Sequence, residues 1–235
     1  MKTSKSKWQR LRRWSVIGII AALLLPGLQV AALWLVNPPT TGPMVWRWGA
    51  GKFEAQPYVA NQYRWVDLNA VSPNFTTAVW LWEDHRFFEH WGFDWVEIQN
   101  AWAQARATGK PARGASTITQ QCARSLFLWQ GRSWVRKGLE AYYSVWMELL
   151  LSKHRIFEVY VNVIELGAGI YGVEAAARHY YGVSAHELTR EQAALLVAMM
   201  PQPKVLDPRQ PTAGMLVRQE KILERADGVD FPLPE

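Results

Sequence analysis

Charged residues are absent from one long stretch near the N-terminus, and this stretch is the clearest feature of the hydrophobic pattern. From Trp14 to Val36 roughly 23 successive positions carry no charge, which is enough for one helix to cross the ~30 Å hydrocarbon layer of a bilayer. Trp14 and Trp34 stand near its ends, where interfacial aromatics are common, and Pro26 is tolerated inside such helices. The pattern predicts a transmembrane helix over residues 14–36.

Two segments of different composition follow this stretch. Asn37–Pro43 is rich in Pro and Thr, which predicts a stiff extended spacer. Residues 37–60 are expected to be a linker, and the folded domain is expected to begin between Val45 and Tyr63. From residue 61 to residue 235 apolar positions recur with helical spacing, and alternating strand patterns are scarce. The fold class is therefore predicted to be mainly α, with room for one sizeable core.

Capping residues predict where several helices begin. Ser116 is expected to cap a helix with one apolar stripe, and Ser133 a long helix that runs to about His154. Capping signals for later helices stand at Ser184, Thr189 and Thr212. The stripe of the first helix consists of Ile118, Cys122 and Leu126, and the core side of the second is expected to include Trp146 and Leu150.

Charge and composition narrow the class of partner. The formal net charge is +6, which indicates an anionic partner. The candidate partners are nucleic acid, acidic lipid and a phosphorylated substrate. The chain also has 14 Trp, a residue that favours boundaries between water and lipid, so a membrane surface competes well with nucleic acid. The single cysteine cannot form an internal disulfide and says nothing about the compartment.

The N-terminal tail predicts the orientation of the membrane helix. Residues 1–13 contain no acid, so the positive-inside rule keeps this tail in the cytoplasm and puts the chain after Val36 in the periplasm. A cleaved signal peptide is the alternative, because small residues stand near the end of the run, although the run is longer than a usual signal core. The basic residues of the tail are Lys2, Lys5, Lys7, Arg10, Arg12 and Arg13.

A dense group of ionisable residues lies between Glu83 and His90, among large aromatics. If this segment is helical, Glu83 and Phe87 share a face, as do Arg86 and His90. Glu83 follows the apolar run Ala78–Trp82, and apolar surroundings raise the proton affinity of a carboxylate, as general acid–base catalysis requires. An amphipathic helix with solvated acids explains this run equally well. The histidines are assigned to local hydrogen bonds rather than to a metal.

Two more groups carry candidate chemistry. Gly114–Gln121 is a glycine-led turn into a helix, which exposes backbone N–H groups that can hold phosphate, although an ordinary helix cap has the same pattern. Arg132, Arg136 and Glu140 are spaced by four residues and can align along one helical edge beside Lys137. A solvated ladder of ion pairs is the alternative for this edge.

Four motifs stand in order and together resemble the peptidoglycan glycosyltransferase family, glycosyltransferase family 51. The resemblance runs from about Tyr63 to Arg225, and the short chain is similar to the monofunctional biosynthetic members, which lack a penicillin-binding transpeptidase domain. The motifs are Glu83-Asp84-x-x-Phe87-x-x-His90-x-Gly92-x-Asp94, Gly114-Ala115-Ser116-Thr117-Ile118-Thr119-Gln120-Gln121, Arg136-Lys137-x-x-Glu140 and Lys153-x-x-Ile156-x-Glu158-x-Tyr160-x-Asn162.

The resemblance implies a fold and a reaction. The fold is a lysozyme-like glycosyltransferase domain over 61–235, with a smaller membrane-facing lobe, anchored in the bacterial inner membrane. The reaction joins lipid II into β-1,4-linked glycan strands with inversion and releases undecaprenyl pyrophosphate. The implied partners are lipid II, the growing strand and inner-membrane lipid, and not nucleic acid; proteins of division or elongation remain open. No cofactor is required, and a divalent cation, Mg or Mn, is left open.

The resemblance also implies residue roles. Glu83 is the general base toward the acceptor hydroxyl, and Glu140 is a second catalytic carboxylate. The substrate-binding positions are Asp84, Phe87, His90, Ser116, Thr117, Gln121, Arg124, Arg132, Arg136 and Lys137. The chain departs from the family pattern where Leu81 and Trp82 replace small residues, where Arg124-Ser125 replaces Lys-Asn, and where Phe157 and Val161 replace leucines.

Two other functions fit parts of the sequence. A lytic transglycosylase or lysozyme-like hydrolase shares the fold and an acidic catalyst, but it has no pyrophosphate for the arginines to hold. A non-catalytic membrane-anchored cell-wall scaffold needs none of the reactive positions, yet Glu83 and Glu140 both stand in place. Synthesis is therefore the preferred hypothesis.

Overall fold

The structure is a computed structural model that describes residues 3–50, 60–110, 114–131 and 133–232. It is 64% helix, which confirms the mainly α class. The helices are α1 Thr3–Ala32, α2 Gly42–Ala50, α3 Pro73–Glu83, α4 Trp95–Thr108, α5 Ile118–Phe127, α6 Trp134–Leu150, α7 Lys153–Val163, α8 Val173–Tyr181, α9 Arg190–Met199 and α10 Ala213–Ala226. Single 3₁₀ turns form at Leu68–Ala70 and Ala185–Glu187.

A small sheet lies beside the helices. Its strands are β1 Gln62–Tyr63, β2 Glu165–Gly167 and β3 Ile170–Tyr171, in the order β1-β3-β2. β1 runs parallel to β3, and β2 is antiparallel to it. Gly172 follows β3 with φ of 80°, and a Cβ there would overlap the carbonyl of Asn162. Only glycine fits this position, and it brings α8 close to the end of α7.

The core of the domain is built around α5. This helix packs against α6 and α7, while α9 packs against α3 and α10. The predicted apolar stripe of α5 is confirmed, because its three residues are all buried. The predicted caps of α9 and α10 are also confirmed, since the Thr189 and Thr212 side chains accept from Gln192 N and Met215 N.

The start of α5 differs from the prediction by one residue. Its cap is Thr117, whose hydroxyl accepts from Gln120 N at 3.3 Å while Gln120 Oε1 accepts from Thr117 N at 3.3 Å. Thr117 completes a reciprocal capping box, so the prediction of Ser116 as the cap was wrong. The Ser116 hydroxyl is left to contact Lys137.

The long helix predicted from Ser133 to His154 is two helices. α6 ends at Leu150, Leu151 is extended, and Ser152 caps α7 by accepting from Arg155 N at 3.2 Å. A serine cap offers the backbone an alternative to continuing the helix. The predicted core side of α6 is confirmed, because Trp146 and Leu150 pack against the core beside the fully buried Met147.

The N-terminal helix is longer at one end and shorter at the other than the predicted span. α1 already begins at Thr3 and ends at Ala32, and its window Trp8–Ala32 is long and apolar enough to cross a membrane. The last turns lie against α6, where Gly27 faces the ring of Trp146. Val30 is buried there, so this end of α1 contacts protein rather than lipid alone.

The segment predicted as a linker contains a helix. α2 begins at Gly42 with Pro43 in its first turn, a favoured position for proline. Its Met44 side chain is buried, and the helix packs against α5, while Trp46 stays exposed. The extended prediction was therefore wrong for Gly42 and Pro43, and residues 42–50 of the predicted linker pack on the domain because one apolar face of this segment finds a partner. Residues 51–59 of the predicted linker lie outside the described ranges.

Candidate active site

Glu83 is the last residue of α3, and the helix predicted to continue through His90 does not form. Asp84 leaves the helix with φ of −164°. Its carboxylate accepts from the ring Nε2 of His90 at 3.0 Å and from Ile118 N at 3.0 Å. These contacts draw the chain into a series of turns, so Glu83 and Phe87 do not share a helical face.

A neutral amide donates a hydrogen bond to the Glu83 carboxylate. Gln121 Nε2 donates to Glu83 Oε2 at 2.8 Å, and the Tyr160 hydroxyl donates to Gln121 Oε1 at 3.2 Å. Burial raises the pKa of Glu83 above its ordinary value, while the bond from Gln121 and the charge of Arg124 lower it and Asp84 raises it. The net effect is a raised pKa, as expected from the apolar run before Glu83, and a raised pKa suits a group that must take up a proton.

The carboxylates of Asp84 and Asp94 and the ring of His90 form a buried cluster whose candidate ligand atoms lie within 4.8 Å of one another. Asp84 already accepts from His90 and Ile118. Asp94 Oδ1 caps α4 by accepting two backbone N–H groups, and it accepts from Arg86 Nη1 at 3.3 Å. The protein itself supplies donors to Asp84 and to Asp94 Oδ1, which supports a structural role for these contacts, while Asp94 Oδ2 and His90 Nδ1 are buried with no hydrogen-bond partner among the described residues.

Phe87 and His90, both predicted to bind substrate, lie behind the site. Phe87 is fully buried, and the ammonium of Lys153 lies 4.5 Å from its ring centroid. His90 is buried against Asp84. Phe87 lines neither of the two clefts described below, and neither does His90. These positions hold the turn after α3 in place, which supports Glu83 indirectly.

Glu140 lies at the centre of the second charged group. Its side chain is 1% exposed, and it accepts from Lys137 Nζ at 2.5 Å and from Arg136 Nη1 at 3.2 Å. Lys137 also donates to the Ser116 hydroxyl at 3.0 Å. The predicted alignment of 136 with 140 is therefore present, but it is a buried ion pair rather than a solvated ladder. Arg132 lies outside the described residues.

Two clefts flank Glu83 and Gln121. The larger has a volume of about 660 Å³, and Gln121, Arg124 and Arg136 provide polar lining beside an apolar wall that includes Trp129. The smaller has a volume of about 230 Å³. Its lining includes Glu83, Asp84, Ser116, Thr117 and Arg225. The hydrogen bond between Glu83 and Gln121 thus joins residues of the two clefts.

The sequence prediction missed one residue at this centre, Tyr160. It was present in the fourth motif, but no role could be read from its position because its contact with Gln121 depends on how α7 packs on α5. The same motif contributes Asn162, whose side chain bonds both backbone groups of Val66 at 2.8 Å. The fourth motif therefore positions Gln121 of the site through Tyr160, and it holds the segment before α3 in place through Asn162.

Comparison with known proteins identifies the family. The family model described as Transglycosylase matches residues 51–227. Curated proteins called biosynthetic peptidoglycan transglycosylase are similar to this chain: that of Bdellovibrio bacteriovorus is 40% identical over 94% of this chain and 88% of its own length, and that of Xanthomonas campestris pv. campestris is 43% identical over 95% and 91%. That of Shewanella amazonensis is 41% identical over 92% and 86%. The chain belongs to the transglycosylase family, which confirms the resemblance seen in the motifs.

Proposed function

We propose that this enzyme polymerises lipid II into β-1,4-linked glycan strands for the bacterial cell wall, with inversion at the anomeric carbon and release of undecaprenyl pyrophosphate. Its relatives are named for peptidoglycan transglycosylation. The observation that carries the proposal is the pairing of Glu83, a carboxylate with a raised pKa, with a neighbouring cleft lined by Arg124 and Arg136.

On the acceptor side, Glu83 acts as the general base. It takes the proton from the 4-hydroxyl of the acceptor sugar, and that oxygen attacks the anomeric carbon of the donor. Inversion requires one base and no covalent nucleophile. The amide of Gln121 holds Glu83 Oε2 at 2.8 Å, which leaves the other carboxylate oxygen to receive the proton.

On the donor side, cations stabilise the departing pyrophosphate. A guanidinium grips phosphate oxygens with two parallel hydrogen bonds, and such contacts strengthen as the leaving group gains charge. Arg124 and Arg136 line the larger cleft beside Trp129, a mixture of charge and apolar surface that suits a lipid-linked sugar pyrophosphate. Ser116, Thr117, Lys137 and Arg132 are the further proposed contacts.

The proposed location is the inner membrane, with α1 as a single anchor, the N-terminus in the cytoplasm and the catalytic domain of residues 61–235 in the periplasm. Exposed tryptophans on and near α4, Trp91, Trp95 and Trp102, support a smaller lobe that faces lipid within a lysozyme-like domain. A reporter fused after Glu235 is expected to be active only outside the cytoplasm. Release of the whole protein into the soluble periplasmic fraction would contradict the anchor.

The direct test of the function is incubation of the purified full chain with labelled lipid II and separation of the products by size. Glycan polymers and free undecaprenyl pyrophosphate are expected. The same protein is then incubated with intact cell wall. Soluble fragments from cell wall, without polymer from lipid II, would indicate a hydrolase, and no reaction with either substrate would indicate a scaffold.

A further inference from the structure

Tyr160 lies directly behind the catalytic carboxylate without lining either cleft. It belongs to α7, its side chain is 0% exposed, and its hydroxyl is 3.2 Å from Gln121 Oε1. The other end of the same amide donates to Glu83 Oε2 at 2.8 Å. A chain of two hydrogen bonds thus leads from a buried phenol to Glu83.

The two neighbours of Gln121 select one orientation of its amide. A tyrosine hydroxyl has one proton to donate, and an ionised carboxylate can only accept. With Oε1 toward Tyr160 and Nε2 toward Glu83, every group in the chain is satisfied. If the amide turned over, its oxygen would face the carboxylate, and the Tyr160 proton would lose this acceptor in a buried position, which is costly.

We propose that Tyr160 is a positioning residue for catalysis, because its hydroxyl fixes the amide of Gln121 so that an N–H group is always directed at the Glu83 carboxylate. The orientation it selects favours the ionised form of Glu83, which is the form a general base needs. The reversed amide would instead suit a protonated Glu83. Tyr160 therefore acts through Gln121 and does not touch the substrate.

The Tyr160 hydroxyl keeps the proton that it donates to Gln121 throughout the pH range of an assay. Burial, together with the charge of Glu83, raises the pKa of Tyr160 well above its ordinary value, so its proton stays on the oxygen. Other charges reach Glu83 from Asp84 beside it and Arg124 on α5. Further ionisable groups line the smaller cleft, namely His85, Asp94, Glu97 and Arg225. Removal of one neutral hydroxyl changes none of these charges, so a shift in the titration of Glu83 can be assigned to the hydrogen-bond chain.

The test is Tyr160→Phe, which keeps the ring and deletes the hydroxyl. The titration of Glu83 is followed by ¹³C NMR of labelled glutamate carboxyls in the full chain in detergent, with the Glu83 signal assigned by its loss in Glu83→Gln. We expect the midpoint to rise by about 0.5–1 pH unit, as for loss of one hydrogen bond that favours the charged form. An unchanged midpoint in a folded variant would overturn the proposal.

A matched control is Tyr143→Phe. Tyr143 is also buried and its hydroxyl donates to a glutamine, Gln29 of α1 at 2.5 Å, but it belongs to neither cleft. This variant should leave the midpoint of Glu83 where it is. An equal shift in both variants would show a general effect of losing a buried hydroxyl and would also overturn the proposal.

A double variant tests whether Tyr160 acts through Gln121. In a Gln121→Leu background, Tyr160→Phe should add almost no shift, because coupled residues are not additive. Full additivity would contradict the chain. The kinetic counterpart rests on the proposed function: the acid limb of kcat/KM with lipid II should move with the NMR midpoint, and the rate at high pH should stay within about threefold. A midpoint that moves without the acid limb would support the role of Tyr160 and contradict Glu83 as the base.

Discussion

The two glutamates assigned to catalysis lie in opposite surroundings. Glu83 is bound by a neutral amide, and burial raises its pKa. Glu140 is 1% exposed and is bound by two cations, Lys137 and Arg136. Glu83 is thus able to take up a proton, whereas the negative charge of Glu140 is compensated by its two cationic neighbours.

This difference separates two roles that the sequence could not distinguish. A general base needs an oxygen free to receive a proton at the reacting hydroxyl. A buried carboxylate between two cations instead fixes their positions and balances their charge. The geometry therefore favours Glu83 for proton transfer, and Glu140 for holding Arg136 and Lys137 toward the substrate.

The largest effect is expected for Glu83→Gln. The substitution keeps the shape and removes the base, so polymerisation should fall by about 10²–10⁴, or roughly 3–5 kcal/mol of barrier. Binding of lipid II should survive. The matched control is Glu89→Gln on the exposed side of the same turns, which should polymerise at nearly the normal rate. A Glu83→Gln protein with half the normal turnover would show that the base assignment is wrong.

Glu140→Gln should lower both rate and stability. Polymerisation should fall by about 10²–10³, because the cations lose their positions. The free energy of unfolding should fall by about 2–3 kcal/mol, less than for a fully buried pair because the Lys137 side chain is 40% exposed. Rate and melting temperature are measured on the same protein. Loss of rate at an unchanged melting temperature would instead mean that Glu140 acts on the sugar directly.

The pH dependence of stability should distinguish the two glutamates further. The pKa of Glu83 is raised in the folded state above its ordinary value of 4.5. Between pH 4.5 and the folded-state pKa, the native protein therefore binds more protons than the unfolded chain. Stability due to Glu83 is therefore lost as pH rises through that window. Glu83→Gln should melt at a higher temperature than the unaltered protein at pH 7, and the gap should close below pH 4.5. A gap that is constant with pH would contradict this origin.

The smallest effect is expected for Ser116→Ala. It removes one acceptor of Lys137 at 3.0 Å, while the stronger contact of Lys137 with Glu140 remains. A hydrogen bond to a charged group is worth about 1.5 kcal/mol at the lower end of its range, so turnover should fall by about tenfold. Steady-state kinetics with lipid II measure it. A loss as large as that of Glu140→Gln would make Ser116 a direct and essential substrate contact.

Features set by local spacing were predictable from the sequence. The caps at Thr189 and Thr212 depend on residues three positions apart, and the contact of Arg136 with Glu140 depends on one helical turn. The expectation that the surroundings of Glu83 raise its proton affinity also followed from its neighbours along the chain.

Features that depend on distant contacts were not predictable from local pattern. The turn after Glu83 forms because Asp84 binds Ile118 N, 34 residues away. α2 forms because its apolar face meets α5, and Tyr160 reaches Gln121 across 39 residues. In each case an interaction between separate elements overrides or supplements the local preference.

The packing of α1 against α6 limits how far the N-terminus of this protein can be shortened for expression. A Cβ at Gly27 would lie 3.0 Å from the ring of Trp146, so a larger residue at this position would push that ring aside. Arg155 binds the carbonyl of Leu33 at 2.8 and 3.0 Å and Asn37 Oδ1 at 2.7 Å. A version cut after residue 37 would expose apolar surface on α6 and remove these acceptors from Arg155, which would keep only its ion pair with Glu158 at 2.8 Å and its contact with the Trp65 ring. The last turns of α1 pack on the folded domain, and a shortened version should begin before them.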